Sequence, residues 1–386
     1  MPDQSPTQME EYLHSRKRVL PVVADPSLSA YELSSPVSVQ LFGRYEDVER
    51  DGTYSRLFDF WSLLPLFTYG KQKRFSVPDT ALEVLPVATR FFQYRHRDFR
   101  LEIHPARIRI KLYRKGKAPR IVDREFYPGL REELVQDALI KLAVHQGCFL
   151  GRPGSPAGVS VVFTLYALCK ELRTSGHCYT PAEVRQAMEI CRRTALVFKA
   201  ANGKVLMETS IFSAIGFNAN GKPQRCFVIF NPLITAAVSQ GEWRLVSYRT
   251  SMRFKHCMAR RLYKRLVLRY VQASPDSVYG FWLSNLLKES GTATYRRFRC
   301  QVRDFELALD ELVANHIVLP SWREEKFTAH DPRNPRKIAD IKYHLRATST
   351  FQKEMIRSNF LRSRVAKALG NMSSRAALKA QTFKSF

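Results

Sequence analysis

"FTLYALCKELRTSGHCYTPAEVRQAMEICRR", Phe163–Arg193, sets two short apolar-periodic stretches on either side of a polar turn that contains a glycine. Thr164 is placed to cap a helix from Leu165 to about Leu172, and "RTSG" is the turn. Thr180 is an N-cap candidate, followed by Pro181 at the first helical position, where a missing N–H costs nothing. Glu183, three residues after the cap, completes a capping box, in which cap and third residue each accept from the other's backbone. Val184, Ala187, Met188 and Cys191 then fall at i, i+3, i+4 and i+7, one buried stripe. Arg185, Gln186, Glu189 and Arg192 point the other way. Such a pair is either a hairpin inside a core or a helix-turn-helix that lays its second helix on DNA, and the flanking sequence decides between them.

Two hairpin signals follow. Asn202-Gly203 in "LVFKAANGKVLME" and Asn220-Gly221 in "IGFNANGKPQRCFVIF" each lie between β-prone runs, and Asn-Gly suits the tight type I′ turn. Upstream, "FRLEIHPARIRIKLYRKG" alternates apolar and polar residues with a break at Pro105, predicting strands at about 99–104 and 107–113. "GLREELVQDALIKLAVHQG" predicts an amphipathic helix with Leu130, Leu134, Ala138, Leu139 and Leu142 inward, ended by Gly147. Gly151–Gly158 is a loop. Helix, helix, capped helix, β-hairpins is the order of a winged helix.

The pattern recurs. Arg253–Ala273 predicts a helix with seven basic residues and no acid, Ser277–Gly291 a second helix and Thr292–His316 a third. "IVLPSW" and "IADIKYHLRAT" flank the polar loop "REEKFTAHDPRNPRK" as a second wing. The expected fold class is α+β: two tandem winged-helix domains, at 98–245 and 246–348, with a partly disordered N-terminal arm and a basic C-terminal tail. Residues 1–36 are polar with repeated prolines, the composition of a disordered arm. Residues 37–97 are aromatic-rich and take no assigned fold. From Ile341 onward ten Lys and Arg face one acid, so 349–386 is taken as a solvated basic tail, although Phe351, Met355, Leu361 and Val365 hint at a helix.

The charge points to the partner. Lys and Arg number 62 against 35 Asp and Glu, a net +27, which calls for a polyanion. A membrane is not the expected one: the most apolar stretch, "FWSLLPLF" (Phe60–Phe67), is far below the roughly 18 residues needed to span a bilayer. The N-terminus opens with acids and lacks the basic-then-apolar order of a signal peptide, so a cytoplasmic location is expected. The seven cysteines are scattered, none CxxC-spaced, which argues against zinc and for reduced, buried thiols. No cofactor is expected, and no Gly-rich GK[ST] loop is present. His104, Arg107 and Tyr113 resemble the His-x-x-Arg and Tyr of DNA-cleaving recombinases, but they sit early and on predicted strands, so the match is taken as coincidence and the chain as a non-enzyme.

The third helix of the second unit carries the sharpest signal. Phe298, Val302, Phe305, Leu309 and Leu312 form its buried stripe. Off that stripe, Arg296, Arg297, Arg299 and Arg303 occupy the first half, while Asp304, Glu306, Asp310 and Glu311 occupy the second. This order opposes the helix macrodipole, which favours acids first and bases last by ~0.3–1 kcal/mol each. An anionic ligand near the N-terminus would offset that cost. Recognition helices meet base edges through their N-terminal residues, and Arg pairs with guanine or holds phosphate. Arg185, Gln186 and Arg192 on the earlier helix are candidates for DNA or for a protein contact. The Arg253–Arg269 helix is expected to touch phosphates with part of its basic face, the rest being solvated.

Taken in order and spacing, "FTLYALCKEL", "YTPAEVRQAM", "TALVF", "RCFVIFNPLI", "ARRLYKRLVLRYV" and "FELALDELVANHIV" resemble a TrfA-type plasmid replication initiator over roughly Phe99 to Trp322. The resemblance implies two winged-helix domains that bind direct repeats, or iterons, in a plasmid origin. It implies help in melting adjacent DNA, recruitment of the host initiator DnaA and the replicative helicase, and a monomer–dimer equilibrium with residues 195–231 as the candidate dimer surface. Arg296, Arg299 and Arg303 would read the repeat through the second domain; two recognition helices on one face of B-DNA sit ~10 base pairs apart centre to centre, so a repeat of about two helical turns is expected. Leu41 and Phe42 of "SVQLF" stand where such proteins bind the polymerase clamp, with Ser38 in place of the leading Gln. The composition also leaves open a winged-helix repressor on an inverted repeat and a nonspecific architectural DNA binder.

Overall fold

The computed structural model describes residues 53–69, 84–112, 118–146, 158–217, 225–291, 297–328 and 338–364. The arm, Leu41, Phe42, Tyr113, Gly147, Asn220-Gly221, Arg296 and residues 365–386 lie outside the described residues. The described residues begin with β1 (Tyr54–Phe58), α1 (Asp59–Leu63), β2 (Ala88–Tyr94), β3 (Arg97–His104), β4 (Ala106–Leu112) and β5 (Arg120–Phe126). The first unit then follows as α2 (Leu130–Gln146), β6 (Ser160–Phe163), α3 (Leu165–Thr174), α4 (Pro181–Arg193), β7 (Ala195–Ala200), β8 (Val205–Ser210), β9 (Phe212–Phe217) and β10 (Cys226–Phe230). Connecting elements are α5 (Pro232–Gln240), β11 (Trp243–Ser247) and α6 (Tyr248–Arg253). The second unit is α7 (Cys257–Arg269), β12 (Tyr279–Trp282), α8 (Leu283–Ser290), α9 (Phe298–Ala314), β13 (Arg323–Thr328) and β14 (Ile338–Leu345), with helix α10 at 349–364.

Strand order establishes the two winged helices. In the first unit the short strand between the first two helices pairs with the last wing strand, giving β6-β10-β9; in the second the order is β12-β14-β13, the same arrangement. Each sheet closes one side of a three-helix core: α2, α3 and α4 in one unit, α7, α8 and α9 in the other. The expected capping box is present. Thr180 Oγ1 accepts from Glu183 N at 3.3 Å, and Glu183 Oε2 accepts from Thr180 N at 2.8 Å. Val184, Ala187, Met188 and Cys191 are all fully buried.

Three expectations for the second unit are corrected. Ser277–Gly291 is not one helix but β12 followed by α8, because Tyr279 and Phe281 alternate onto β14 before helical periodicity begins. "IVLPSW" is not a wing strand; Val318 makes one isolated bridge to Ala347, and the wing strand is the polar Arg323–Thr328. That strand is patterned by charge rather than by apolar periodicity, with Arg323–Glu325 and Lys326–Glu324 ion pairs along it at 3.2 and 3.5 Å, and the ladder to β14 holds it in the sheet. The third helix begins at Phe298, not Thr292, with Arg297 as a non-helical N-cap.

The two β-hairpins that follow α4 are not both wings. The Asn202-Gly203 hairpin, β7–β8, joins β2 and β3 in a separate sheet of order β2-β3-β7-β8. Its loop is not type I′. Gly203 N donates to Ala200 O and Ala200 N to Lys204 O, both at 2.9 Å, and within the loop only Gly203 has a positive φ. This is the three-residue loop closed by a left-handed glycine. The two-residue turn with both φ positive lies elsewhere, at Arg95 and His96 (φ 48° and 64°), between paired Tyr94 and Arg97. The boundary placed at 97/98 falls at the start of β3. β4 and β5 form a two-stranded ribbon that packs Ala106 and Ile108 on Ile190 of α4.

Residues 53–69 form a wedge between the two units. β1 pairs with β11, and their faces divide the cores: Phe58 and Trp243 belong to the first, Leu57 and Val246 to the second. Phe60–Phe67 lies in α1 and the irregular chain that follows it, with Trp61, Leu64, Leu66 and Phe67 buried in the first core. Arg261 of α7 binds the wedge by donating to the carbonyls of Ser62, Leu63 and Leu64, and to Glu289 O. The solvated-tail expectation is corrected for 349–364. α10 buries Phe351, Met355 and Leu361, the first two in the second core, while Ser358 Oγ accepts from Leu245 N at 3.0 Å.

Candidate nucleic-acid interface

α9 presents its arginines as the sequence predicts. Arg297, Arg299 and Arg303 are exposed, while Phe305, Leu309 and Leu312 are buried. Phe298 and Val302 pack on the same core only partly buried. Arg299 and Arg303 are four residues apart and therefore share a face, about 6 Å apart along the axis. No acid stands in the first turn of α9 and no base in the last, so the charge order opposes the macrodipole along the whole helix. Half of that order has an internal cause. The Glu311 carboxylate accepts from the backbone N–H groups of Lys255 (2.7 Å) and His256 (2.9 Å), capping the entry to α7, whose N-cap residue His256 supplies no side-chain bond. Glu306 is pushed above its ordinary value by burial and then by the neighbouring Glu324 carboxylate of β13.

On α4 the three candidates separate. Arg185 is exposed, and its guanidinium lies 4.2 Å from the ring centre of Phe217 at the base of the first wing. That stacking holds the helix and the wing in one orientation, a cation–π contact of about 0.5–1 kcal/mol at an exposed site. Arg192 is exposed and lies seven residues, two turns, from Arg185 on the same face. Gln186 is half-buried, and its side-chain oxygen accepts from Arg131 Nη1 at 3.1 Å. Its carbonyl is thus engaged with α2, and only its amide N–H₂ remains to meet a ligand. The Phe217 and Arg131 roles had no signal in the sequence, since both partners are distant in it.

The expectation for Arg253–Arg269 is corrected. Arg260, Arg261 and Lys264 are buried at the contact between the units rather than solvated or aimed at phosphate. Lys264 Nζ donates to Glu133 Oε1 at 2.9 Å and to Asp137 Oδ2 at 2.6 Å, both on α2, and Tyr69 donates to Glu133 Oε2 at 2.7 Å. α2 is correspondingly not amphipathic in the expected way. Glu132, Glu133, Gln136, Asp137 and Lys141 are as buried as its leucines, because α3 and α4 cover one side and the second unit covers another. Burial alone would raise the Glu133 carboxyl, but the Lys264 and Arg260 cations outweigh it and hold it at about 2.

Of the described cysteines, Cys169, Cys191 and Cys226 are buried, Cys257 and Cys300 half-buried and Cys178 exposed, which corrects the expectation of buried thiols for Cys178. Burial raises the Cys191 thiol well above its ordinary value and leaves it unreactive. His177 Nε2 donates to Met252 O at 2.9 Å, tying the α3–α4 turn to α6. Among the described residues no three His, Cys, Asp or Glu gather as a metal-ligand set, and no helix is long and apolar enough to cross a membrane.

No family model matches the chain, and no curated protein matches it significantly. Solved structures do. A selenomethionine derivative of domains 2 and 3 of RctB is similar at 11% identity and a TM-score of 0.41, over 73% of this chain and 95% of that one. The Pi initiator protein in complex with iteron DNA is similar at 12% identity and a TM-score of 0.39, over 57% and 92%. A second RctB structure, spanning domains 2–3, is similar at 9% identity and a TM-score of 0.40, over 76% and 98%. Likeness at these values decides nothing by itself, and the winged-helix architecture stands on the matching strand orders of the two units.

Proposed function

We propose that the chain is a replication initiator of the TrfA type that binds directly repeated double-stranded DNA at a plasmid origin. The observation that carries this is the recurrence, in one chain of net charge +27, of two non-identical winged helices with exposed arginines on the third helix of each. Two different readers joined in one chain suit an asymmetric site repeated head to tail, whereas a repressor dimer suits an inverted repeat. The wedge and the buried Lys264 cluster fix the units against each other, so both bind with one geometry. In this reading Arg299 and Arg303, with Arg296 and Arg297 beside them, meet the repeat through the second unit. Arg185 and Arg192 meet it through the first, and Gln186 contributes only its amide.

The chain acts in the cytoplasm, as a binder and not as an enzyme. It promotes local melting and recruits host DnaA and the helicase, passing between dimer and monomer, with Leu41 and Phe42 as the candidate clamp contact. DNase footprinting of the DNA flanking its own gene, at about 150 mM salt to suppress nonspecific binding, tests the core of this. Protection of several regularly spaced direct repeats, lost in Arg299→Ala/Arg303→Ala, is the expected result. One protected inverted repeat over a promoter makes the chain a repressor, and unpatterned protection makes it an architectural binder.

A further inference from the structure

The β4–β5 ribbon has no place in either winged helix, and its two faces differ sharply. It is a sheet of its own, paired from Ala106↔Phe126 to Leu112↔Arg120. Alternation sends Ala106 and Ile108 inward onto Ile190, with Ile110 beside them. It sends Arg107, Arg109 and Lys111 outward, all exposed. Arg193 at the end of α4 donates from Nη1 to Arg107 O at 3.1 Å, so the ribbon is fastened to the helix by backbone as well as by apolar contact.

Placement matters as much as charge. Ile190 and Arg185 are five residues apart, about 140° around α4. Arg185 marks the flank covered by the β9–β10 wing and Ile190 the flank covered by the ribbon. α4 therefore lies between two β-hairpins, with exposed Ala182 and half-buried Glu189 in the gap.

The outer face carries three cations and two acids. Arg107 and Arg109 share the Asp123 carboxylate at 3.4 and 3.3 Å, their side chains 71% and 74% exposed, while Glu125, opposite Arg107, accepts from Leu85 N at 2.6 Å. Exposed pairs of this kind add little to stability, so folding does not account for two guanidiniums gathered on Asp123. Lys111 stands opposite Ile121, an exposed apolar residue. Residues two apart on a strand are about 6.6 Å apart, so three such cations can each meet a different phosphate.

We propose that the β4–β5 ribbon is a second wing of the first unit, in which Arg107, Arg109 and Lys111 hold the phosphate backbone of duplex DNA on the flank of α4 opposite the β9–β10 wing. Asp123 orients the two guanidiniums and moderates their charge. The proposal rests on the reading of the chain as a double-stranded DNA binder. Phosphate is the favoured partner over an acidic protein because the ribbon is fastened to the helix whose exposed face that reading places on DNA.

The test uses the full chain, a duplex containing the footprinted repeat and a random-sequence duplex, with affinity followed by fluorescence anisotropy from about 50 to about 200 mM salt. Arg107→Ala/Arg109→Ala/Lys111→Ala is expected to flatten the slope of log affinity against log salt by about two to three on both duplexes, at ~0.9 per lost phosphate contact. The ratio of specific to random affinity stays unchanged. Asp123→Asn, which keeps the ribbon's size and pairing, is expected to move the other way, with a steeper slope and severalfold tighter binding. Circular dichroism and melting confirm that each variant is folded. Unchanged slopes in both variants, beside sequence-specific wild-type binding, overturn the second wing and leave the initiator reading standing. Unchanged slopes with altered self-association in sedimentation assign the ribbon to protein contact and also overturn it. Absence of wild-type binding to either duplex overturns both.

Discussion

Lys264 Nζ stands 2.6 Å from Asp137 Oδ2, a pair of residues at most 11% exposed that joins the first helix of one winged helix to the first helix of the other. Glu133 completes the cluster at 2.9 Å. The two carboxylates are not equivalent. Glu133 accepts from Lys264 and Tyr69 and is held at about 2, so its ionised form stabilises the fold. Asp137 is pushed upward, by burial first and then by the Glu133 charge, with Lys264 only partly offsetting this.

The first prediction separates them. At pH 7 Glu133→Gln is expected to cost about 3–5 kcal/mol, the usual loss on breaking a buried ion pair. Asp137→Asn is expected to cost less than half of that. The sign with pH follows from the depressed Glu133 group: its contribution is complete above its ordinary value of 4.5 and disappears as pH falls through 2. Asp137, displaced upward, takes its proton first and adds little to the acid loss. Urea titrations of both variants at pH 7 and at several points below 4.5 check this. Equal costs for the two substitutions, or a Glu133→Gln deficit indifferent to acid, would contradict it.

A second prediction concerns the wedge. Gly291 ends α8 in the left-handed region at φ 69°, and a Cβ there would lie 2.5 Å from Phe67 O of the wedge. A left-handed side chain costs roughly 1–2 kcal/mol before any clash. Backbone at 2.5 Å cannot yield as a flexible side chain does. Gly291→Ala should therefore destabilise by about 3 kcal/mol in total, beyond the usual surface substitution. A midpoint shift below a third of that in denaturant titration would mean the wedge is not seated on α8.

The winged helices were legible where their signals are local. Thr180, Pro181 and Glu183 announce α4 within four residues, and the stripe from Val184 to Cys191 gives its buried face. The arginines of α9 were legible for the same reason, since exposed cations at helical spacing need no partner to be recognised. What was not legible depends on partners far along the chain. The burial of Arg260, Arg261 and Lys264 requires Glu133, Asp137 and the carbonyls of residues 62–64. In sequence those same residues look like one more basic helical face. The wing strand Arg323–Thr328 hid likewise, because its regularity lies in alternating charges paired two residues apart along the strand and not in apolar alternation.

The turn between β2 and β3 supplies a third prediction. Two-residue hairpin turns of this kind favour Asn-Gly because both central residues need positive φ. Here Arg95 and His96 adopt it, with Arg95 anchored to Glu242 at 3.3 Å. His96 is exposed, and among the described residues no hydrogen bond or ion pair engages its ring. His96→Gly is therefore expected to stabilise by about 0.5–1 kcal/mol, the relief of left-handed strain less the added chain entropy. Calorimetry should show a melting temperature raised by a few degrees; a lowered one would mean that the imidazole contributes to the fold.

The last prediction divides the reversed charge order of α9 into its two causes. Glu311 is acidic at the end of the helix because it caps the entry to α7 through Lys255 N and His256 N. Arg299 and Arg303 are basic near its start without a comparable internal role. Glu311→Gln keeps one acceptor oxygen and loses the charge, so it should cost about 1–2 kcal/mol of stability, as a lost capping carboxylate does. It should leave the salt slope of DNA binding unchanged. Arg299→Ala/Arg303→Ala should do the reverse, with stability within about 0.5 kcal/mol of wild type and a slope shallower by up to about two. Each variant is measured by both denaturant titration and binding at several salt concentrations. If Arg299→Ala/Arg303→Ala lowered stability as much as Glu311→Gln does, the arginines would belong to the fold, and the charge order would give no reason to place DNA at this helix.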